Sequence, residues 1–129
     1  HPKEFERLFG KFSSTLKEIE FMREFSHKTG IIIVRKSAVT AISTQNGIIY
    51  FNDFGNPGMA TAGAGDVLTG IITSLLAQGY SSEDSAILGV ALHAKAGDLY
   101  LENNSTESLI ASDIIEYLGK AFYFFKDIF

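Results

Sequence analysis

Residues 56 to 76 read NPGMATAGAGDVLTGIITSLL, a glycine-rich loop that runs straight into a helical pattern. Val67, Leu68, Ile71, Ile72, Leu75 and Leu76 recur every three or four positions and predict one apolar helix stripe, which Gly79 closes. Before the stripe, Gly55, Pro57, Gly58, Gly63 and Gly65 punctuate a long loop from Asn52 to Gly65. Small residues keep side chains clear, so backbone N–H groups can approach a ligand, and a helix opening near Asp66 turns its positive end the same way. The stretch therefore reads as an anion site. It is not a Walker loop, because no Lys-Ser/Thr pair follows the glycines, and Leu68 stands where the dinucleotide fingerprint needs its third glycine. Asp66 is the unusual member, a carboxylate at a spot built to attract negative charge. Two readings stay open for it: a cap on the helix, and a general base beside a bound phosphate, deprotonating the hydroxyl that attacks it.

Working outward, Pro2 and the segment Lys3 to Phe9 predict a short helix. A second helix is capped by Ser13 and Ser14, carries Phe12, Leu16, Ile19, Met22 and Phe25 on its apolar side, and stops at Gly30. Ile31-Ile32-Ile33-Val34 is a short β-branched run, which predicts a strand buried on both faces of a sheet. Val39 to Thr44 and Ile48 to Asn52 flank Gln45-Asn46-Gly47, the strongest short signal for an antiparallel hairpin. Ser81 and Asp84 form a capping-box pattern for a long helix whose Ala86, Gly89, Val90, His93, Ala94 and Gly97 make a face of small residues suited to close packing. A last helix starts near Ser112, and its tail Phe122-Tyr123-Phe124-Phe125 is apolar all round, docked under the sheet or part of a subunit interface. The expected fold class is a three-layer α/β arrangement: a central, mostly parallel sheet, an antiparallel hairpin beside it, and helices on both faces.

The chain has 129 residues, 46% hydrophobic and 20% charged, which fits one domain with a real core and excludes a disordered chain or a strongly basic nucleic-acid binder. No repeat or linker marks a domain boundary, so residues 1–129 are expected to form a single domain. The absence of cysteine excludes a disulfide scaffold and a thiolate nucleophile, and fits a reducing compartment. His1, His27 and His93 have no metal-ligand spacing, and no metal site is expected among them. His93 reads as packing on the small-residue face, and His27 as a complement to a helix C-terminus. No apolar run reaches the roughly 18 residues of a membrane span. The chain opens at His1 without an initiator methionine, so the true start is expected upstream. Residues 1–36 carry eight Lys/Arg against five Asp/Glu, and residues 37–129 carry three against ten. That asymmetry steers a phosphate-bearing ligand toward one face, or simply reflects two differently solvated faces.

With these residues assembled, Asn56 to Gly70 resembles the signature of the ADP/ATP-dependent NAD(P)H-hydrate dehydratases of the ribokinase-like superfamily. Other motifs agree in order: His1-Pro2-Lys3-Glu4 is similar to the family's His-Pro-Gly-Glu, Lys36 to Thr40 to its Lys-Gly-x-x-Thr, and Leu92 to Asp98 to its Leu-His-Gly-x-Ala-Gly-Asp, with Ala111-Ser112-Asp113 also fitting. The resemblance covers only the C-terminal part of the family domain. It implies a cytoplasmic metabolite-repair enzyme that dehydrates hydrated NADH or NADPH at the expense of ADP or ATP, with Mg2+ neutralising the phosphates. It implies that Asp66 is the catalytic base, that His1 and Asp66 bind the hydrated dinucleotide, and that Lys36, Ser37, Ala38, Val39, Thr40 and Gly65 surround the adenine nucleotide. Ser37 stands where the family has glycine, which bears on how closely that backbone can approach a ligand. Lys36 follows a predicted strand, where ligands of α/β sheets collect, although a solvated strand-end lysine also fits the spacing.

Two other readings compete. A small-molecule kinase of the same superfamily, acting on a vitamin precursor or sugar, shares Gly-x-Gly-Asp at a helix start, but the Asn-Pro-Gly-Met-Ala-Thr prefix and His-Pro-x-Glu argue against it. A catalytically silent fragment that binds nucleotide or only assembles with itself is the third. Self-association into a homo-oligomer is expected, since the apolar tail and an incomplete sheet both need cover. No nucleic acid or membrane partner is expected.

Overall fold

The structure, a computed structural model, describes residues 1–128 and divides into two compact units, His1–Asp53 and Phe54–Phe129.

In the first unit, helix α1 (Pro2–Phe9) leads to α2 (Thr15–Thr29) and then to strands β1 (Ile33–Arg35), β2 (Thr40–Ser43) and β3 (Ile49–Asn52). Helix α2 begins where its sequence provides a cap, since the Ser14 hydroxyl accepts from Lys17 N–H at 3.2 Å, and it ends at Gly30. The sheet has the order β1-β2-β3, antiparallel throughout, with Val34 opposite Ile42 and Ala41 opposite Phe51. The Asn46-Gly47 turn is where it was expected: Gly47 N–H donates to the Thr44 carbonyl at 3.0 Å, and Thr44 N–H to the Ile48 carbonyl at 3.0 Å. Phe5, Met22 and Ala41 form the core of this unit, lined by Phe9, Phe12, Ile19 and Phe21. A buried hydroxyl pair, Ser26 Oγ to Ser43 Oγ at 2.6 Å, ties α2 to β2. His27 does more than complement a helix end, because its Nδ1 lies 3.0 Å from the Gln45 carbonyl and donates to it, joining α2 to the hairpin turn.

Two details of the sheet differ from the sequence reading. No parallel pair occurs among the described residues. Only the four residues Lys36 to Val39 link β1 to β2, and a parallel crossover needs a dozen or more, so the link imposes an antiparallel pair. The apolar run Ile31 to Val34 is not buried on both faces: Ile31 is 52% exposed and the rest half-buried. β1 has only β2 as a neighbour and is an edge of the described sheet.

The second unit is helical: α3 (Ala64–Ala77), α4 (Ser82–Tyr100) and α5 (Ala111–Phe125), with 3-10 turns at Pro57–Met59 and Thr106–Ser108. Helix α4 starts where the sequence predicts, with the Ser81 hydroxyl accepting from Asp84 N–H at 3.0 Å, but the reciprocal bond of the expected capping box is not formed among the described residues. It packs on both α3 and α5 around Leu75, Leu88, Leu92, Ala96, Ile114 and Ala121. Phe125 is buried in this core, with the Phe54 ring against its edge, while Phe122, Tyr123 and Phe124 remain exposed. The small face of α4 allows the close approach expected of it, for a Cβ on Gly89 would lie 2.6 Å from Ile72 Cγ1 of α3.

Candidate functional site

The glycine-rich loop reaches α3 through two backbone devices. Gly58 passes so close to the neighbouring 3-10 turn that a Cβ there would sit 2.8 Å from the Thr106 carbonyl oxygen. Gly63 takes φ +83, the left-handed region that favours glycine, and is the N-cap of α3. The cap settles one question left open by the sequence. Asp66 is three residues past the N-cap, no side chain caps this helix, and so Asp66 is not the cap. Its carboxylate is exposed, acidic in the first turn, and makes no hydrogen bond or ion pair among the described residues.

The first-turn donors are open as well. Ala64 N–H donates to the Thr61 carbonyl at 3.3 Å and Val67 N–H to that of Gly63 at 3.0 Å, which leaves the N–H groups of Gly65 and Asp66 without acceptors among the described residues. Two free N–H groups, the positive end of a fourteen-residue helix and a free carboxylate therefore share one helical turn. Such a corner can hold phosphoryl oxygens and accept a proton beside them. Along α3 and α5 runs a groove of about 460 Å³, lined by Asp66, Val67, Gly70, Ile71, Leu118 and Phe122 among others. The groove was not foreseen, because the two helices that make it lie about 45 residues apart in sequence and only their packing creates it.

The other sequence-derived residues fall on the first unit. Lys36, Ser37, Ala38 and Val39 form the connection from β1 to β2, and Thr40 opens β2. The Ser37 hydroxyl donates to the Val39 carbonyl at 2.6 Å and folds this connection on itself. Among the described residues no non-glycine residue has positive φ, so serine occupies position 37 without backbone strain. Ala38 and Val39 are exposed, and Lys36 and Thr40 half-buried. His1 caps α1: its Nδ1 accepts from Lys3 N–H at 3.2 Å. Gly65 and Asp66 are thus adjacent on α3, Lys36 to Thr40 form one connection, and His1 stands at the start of α1. His93 is buried, as its packing role required, and also bonds: Nε2 is 2.8 Å from the Ala64 carbonyl, which can only accept, so Nε2 carries the proton.

The family described as NAD(P)H-hydrate dehydratase, of carbohydrate-kinase type, matches residues 1–120. The chain belongs to that family. It is 38% identical over 120 residues to the bifunctional NAD(P)H-hydrate repair enzyme Nnr of Moorella thermoacetica, covering 92% of this chain and 23% of that protein. It is also 38% identical over 120 residues to the ADP-dependent (S)-NAD(P)H-hydrate dehydratase of Neisseria meningitidis, covering 88% of this chain and 40% of that one. The ADP/ATP-dependent NAD(P)H-hydrate dehydratase of Bacillus subtilis, co-crystallized with ATP/Mg2+ and soaked with CoA, superposes with a TM-score of 0.87 at 28% identity, over 97% of this chain and 47% of that one. The chain therefore has the ribokinase-like α/β fold expected from its motifs, and spans less than half the length of each of these three relatives.

No helix among the described residues is long and apolar enough to cross a membrane. None of their carboxylates and imidazoles cluster in threes as a preformed cation cage would require. Magnesium fits such a site differently, since it keeps most of its waters and is carried by the phosphates with one or two carboxylates; Asp66 is the carboxylate at the anion corner.

Proposed function

We propose that this chain is the C-terminal part of a dehydratase that restores hydrated NADH or NADPH with ADP or ATP as co-substrate. The observation that carries the reading is the free Asp66 carboxylate in the same first turn of α3 as the open N–H groups of Gly65 and Asp66, within the stretch matched to the family. Asp66 accepts the proton of the ring hydroxyl as that oxygen attacks the terminal phosphoryl group of the nucleotide. With ADP, the bond from the bridging oxygen to the β-phosphorus breaks and AMP leaves. The phosphate then departs from the ring carbon with the electron pair of the C–O bond, the neighbouring ring carbon gives up a proton to solvent as the C=C bond forms, and the reduced dinucleotide returns. The N–H groups of Gly65 and Asp66 steady the phosphoryl oxygens through this transfer. Magnesium carried by the nucleotide would neutralise charge on the phosphates.

Lys36, Ser37, Ala38, Val39 and Thr40, with Gly65, hold the adenine nucleotide, and His1 with Asp66 holds the hydrated dinucleotide. Both units belong to one incomplete ribokinase-like domain, a reading supported by the family match running from residue 1 to 120 without regard to the boundary near residue 53. The chain acts in the cytoplasm, as its lack of cysteine allows. It self-associates: Leu8, Leu16 and Tyr123 are among the apolar side chains left more than 60% exposed.

The test is recovery of the reduced-nicotinamide absorbance when the protein meets hydrated NADPH, Mg2+ and ADP, with ATP and nucleotide-free controls. Nucleotide-dependent recovery supports the reading. A stable phosphorylated product from a hydroxyalkyl heterocycle, without recovery, would replace it by the small-molecule kinase, and loss of both would leave a silent fragment.

A further inference from the structure

Helix α4 holds the glycine-rich loop at both ends. At the far end, His93 Nε2–H donates to the carbonyl of Ala64, the first residue of α3. At the near end, Asp98 spends both carboxylate oxygens on the loop: Oδ2 accepts from Gly55 N–H at 2.8 Å and Oδ1 from Asn56 Nδ2 at 3.0 Å. Between these two points Met59 is seated on Gly97, where a Cβ would meet its sulfur at 2.5 Å. One rigid helix thus fixes where the loop enters, where its middle rests and where it delivers the chain into α3.

We propose that Asp98 is a positioning residue for Asp66, acting through the loop from Gly55 to Gly63 rather than by touching substrate. The inference rests on the role given to Asp66 above. A two-oxygen acceptor facing two N–H donors, 42 and 43 positions away in sequence, defines a geometry that no neutral side chain of the same shape reproduces. An asparagine at position 98 keeps one acceptor but turns an NH2 donor toward one of the two donors on the loop. Gly55 has φ +110 and is conformationally permissive, so its backbone is free to leave this geometry once the bond to position 98 is lost. Release of this end leaves the loop held only at Met59 and at Ala64, and a displacement of the base by about 1 Å through that loosened loop is enough to lower a rate by up to about a hundredfold.

The geometry also supplies its own rescue. Exchanging the two groups, Asp98→Asn together with Asn56→Asp, re-forms both bonds: the new amide at 98 donates to the new carboxylate at 56 while its oxygen accepts from Gly55 N–H, and net charge is unchanged; the second oxygen at 56, buried without a partner, makes the rescue partial. The experiment compares Asp98→Asn, Asn56→Asp and the double exchange in the polypeptide as its host makes it. It reads amide hydrogen exchange over residues 55–67, thermal midpoint, and kcat and KM for nucleotide-dependent dehydration of hydrated NADPH. Each single variant is expected to speed exchange over residues 55–67 by about tenfold or more while the rest of α4 and α5 keeps its protection. Each lowers kcat by about tenfold to a hundredfold with KM for the hydrated dinucleotide nearly unchanged, and the double exchange returns both readouts toward the parent values. Uniformly faster exchange, unchanged exchange, or a double variant no better than the singles overturns the proposal. A kcat that stays at the parent value while exchange accelerates does so too. If the parent protein shows no dehydration at all, the functional reading fails by itself, and the exchange data alone then decide whether Asp98 orders the loop.

Discussion

The sharpest packing prediction concerns Gly89 on α4. A Cβ at this position would lie 2.6 Å from Ile72 Cγ1 and 3.5 Å from Ile72 Cα on α3. Carbon atoms at rest sit about 3.5–4.0 Å apart, so the methyl group of Gly89→Ala overlaps its neighbour by about 1 Å. Ile72 is β-branched and held in essentially one rotamer on a helix, so it cannot swing away, and α3 and α4 must separate instead. Overpacking of this kind costs about 1–3 kcal/mol. Removing glycine from a helix interior returns about 0.5–1 kcal/mol. The net expectation is a loss of about 1–2 kcal/mol, or about 4–8 °C in thermal midpoint, read by urea and heat denaturation followed by circular dichroism. Gly119→Ala on α5 is the internal reference: nothing lies within 4 Å of its added Cβ, so it gains the glycine term alone and stabilises by about 0.5–1 kcal/mol. Equal midpoints for the two variants, or a Gly89→Ala protein more stable than its parent, would refute the close α3–α4 contact.

Three further outcomes follow from the same geometry. Gly97→Ala, whose Cβ would meet the flexible end of Met59 at 2.5 Å, changes global stability by less than about 1 kcal/mol because Met59 can leave; it instead unseats the loop, which limited proteolysis between residues 55 and 63 would detect. His93→Ala strands a buried carbonyl acceptor and destabilises by about 1–3 kcal/mol, whereas His93→Gln, which keeps an N–H donor, recovers part of that in the same denaturation assay. The Glu107 carboxyl is held below the usual carboxylate range by its own backbone N–H and by the Ser105 and Thr106 hydroxyls. A depressed folded-state pKa stabilises above the unfolded value, so the Thr106–Ser108 turn keeps this support near neutral pH and loses it as pH falls through the folded pKa. A carboxyl titration by NMR should therefore find Glu107 below an unperturbed glutamate in the same protein, and a midpoint at or above it contradicts the turn geometry.

Element ends were legible wherever a single side chain decides them. Ser14, Ser81 and the Asn46-Gly47 pair act within four residues of themselves, so their hydrogen bonds are written into local sequence. The antiparallel order of β1 was legible too, in the four residues joining it to β2, but the apolar run Ile31 to Val34 invites a parallel reading because burial is encoded more strongly than direction. Asp66 shows the limit of motif spacing: its charge and position suit a cap, and only the left-handed Gly63 moves the cap three residues upstream and frees the carboxylate. Asp98 carries no local signal of its partners at Gly55 and Asn56, since tertiary packing alone brings them together. The groove beside Asp66 is hidden for the same reason, as its α5 wall comes from a helix whose apolar residues read equally well as core.

The proposed chemistry depends on Asp66 acting as the base. The most direct measurement is therefore the rate of nucleotide-dependent recovery of NADPH from its hydrate with Asp66→Asn, beside the parent protein at the same Mg2+ and ADP concentrations. Because the carboxylate is exposed and free of hydrogen bonds among the described residues, the variant should keep the parent thermal midpoint while losing about 10²–10⁴-fold in kcat. Full activity in Asp66→Asn would contradict the account.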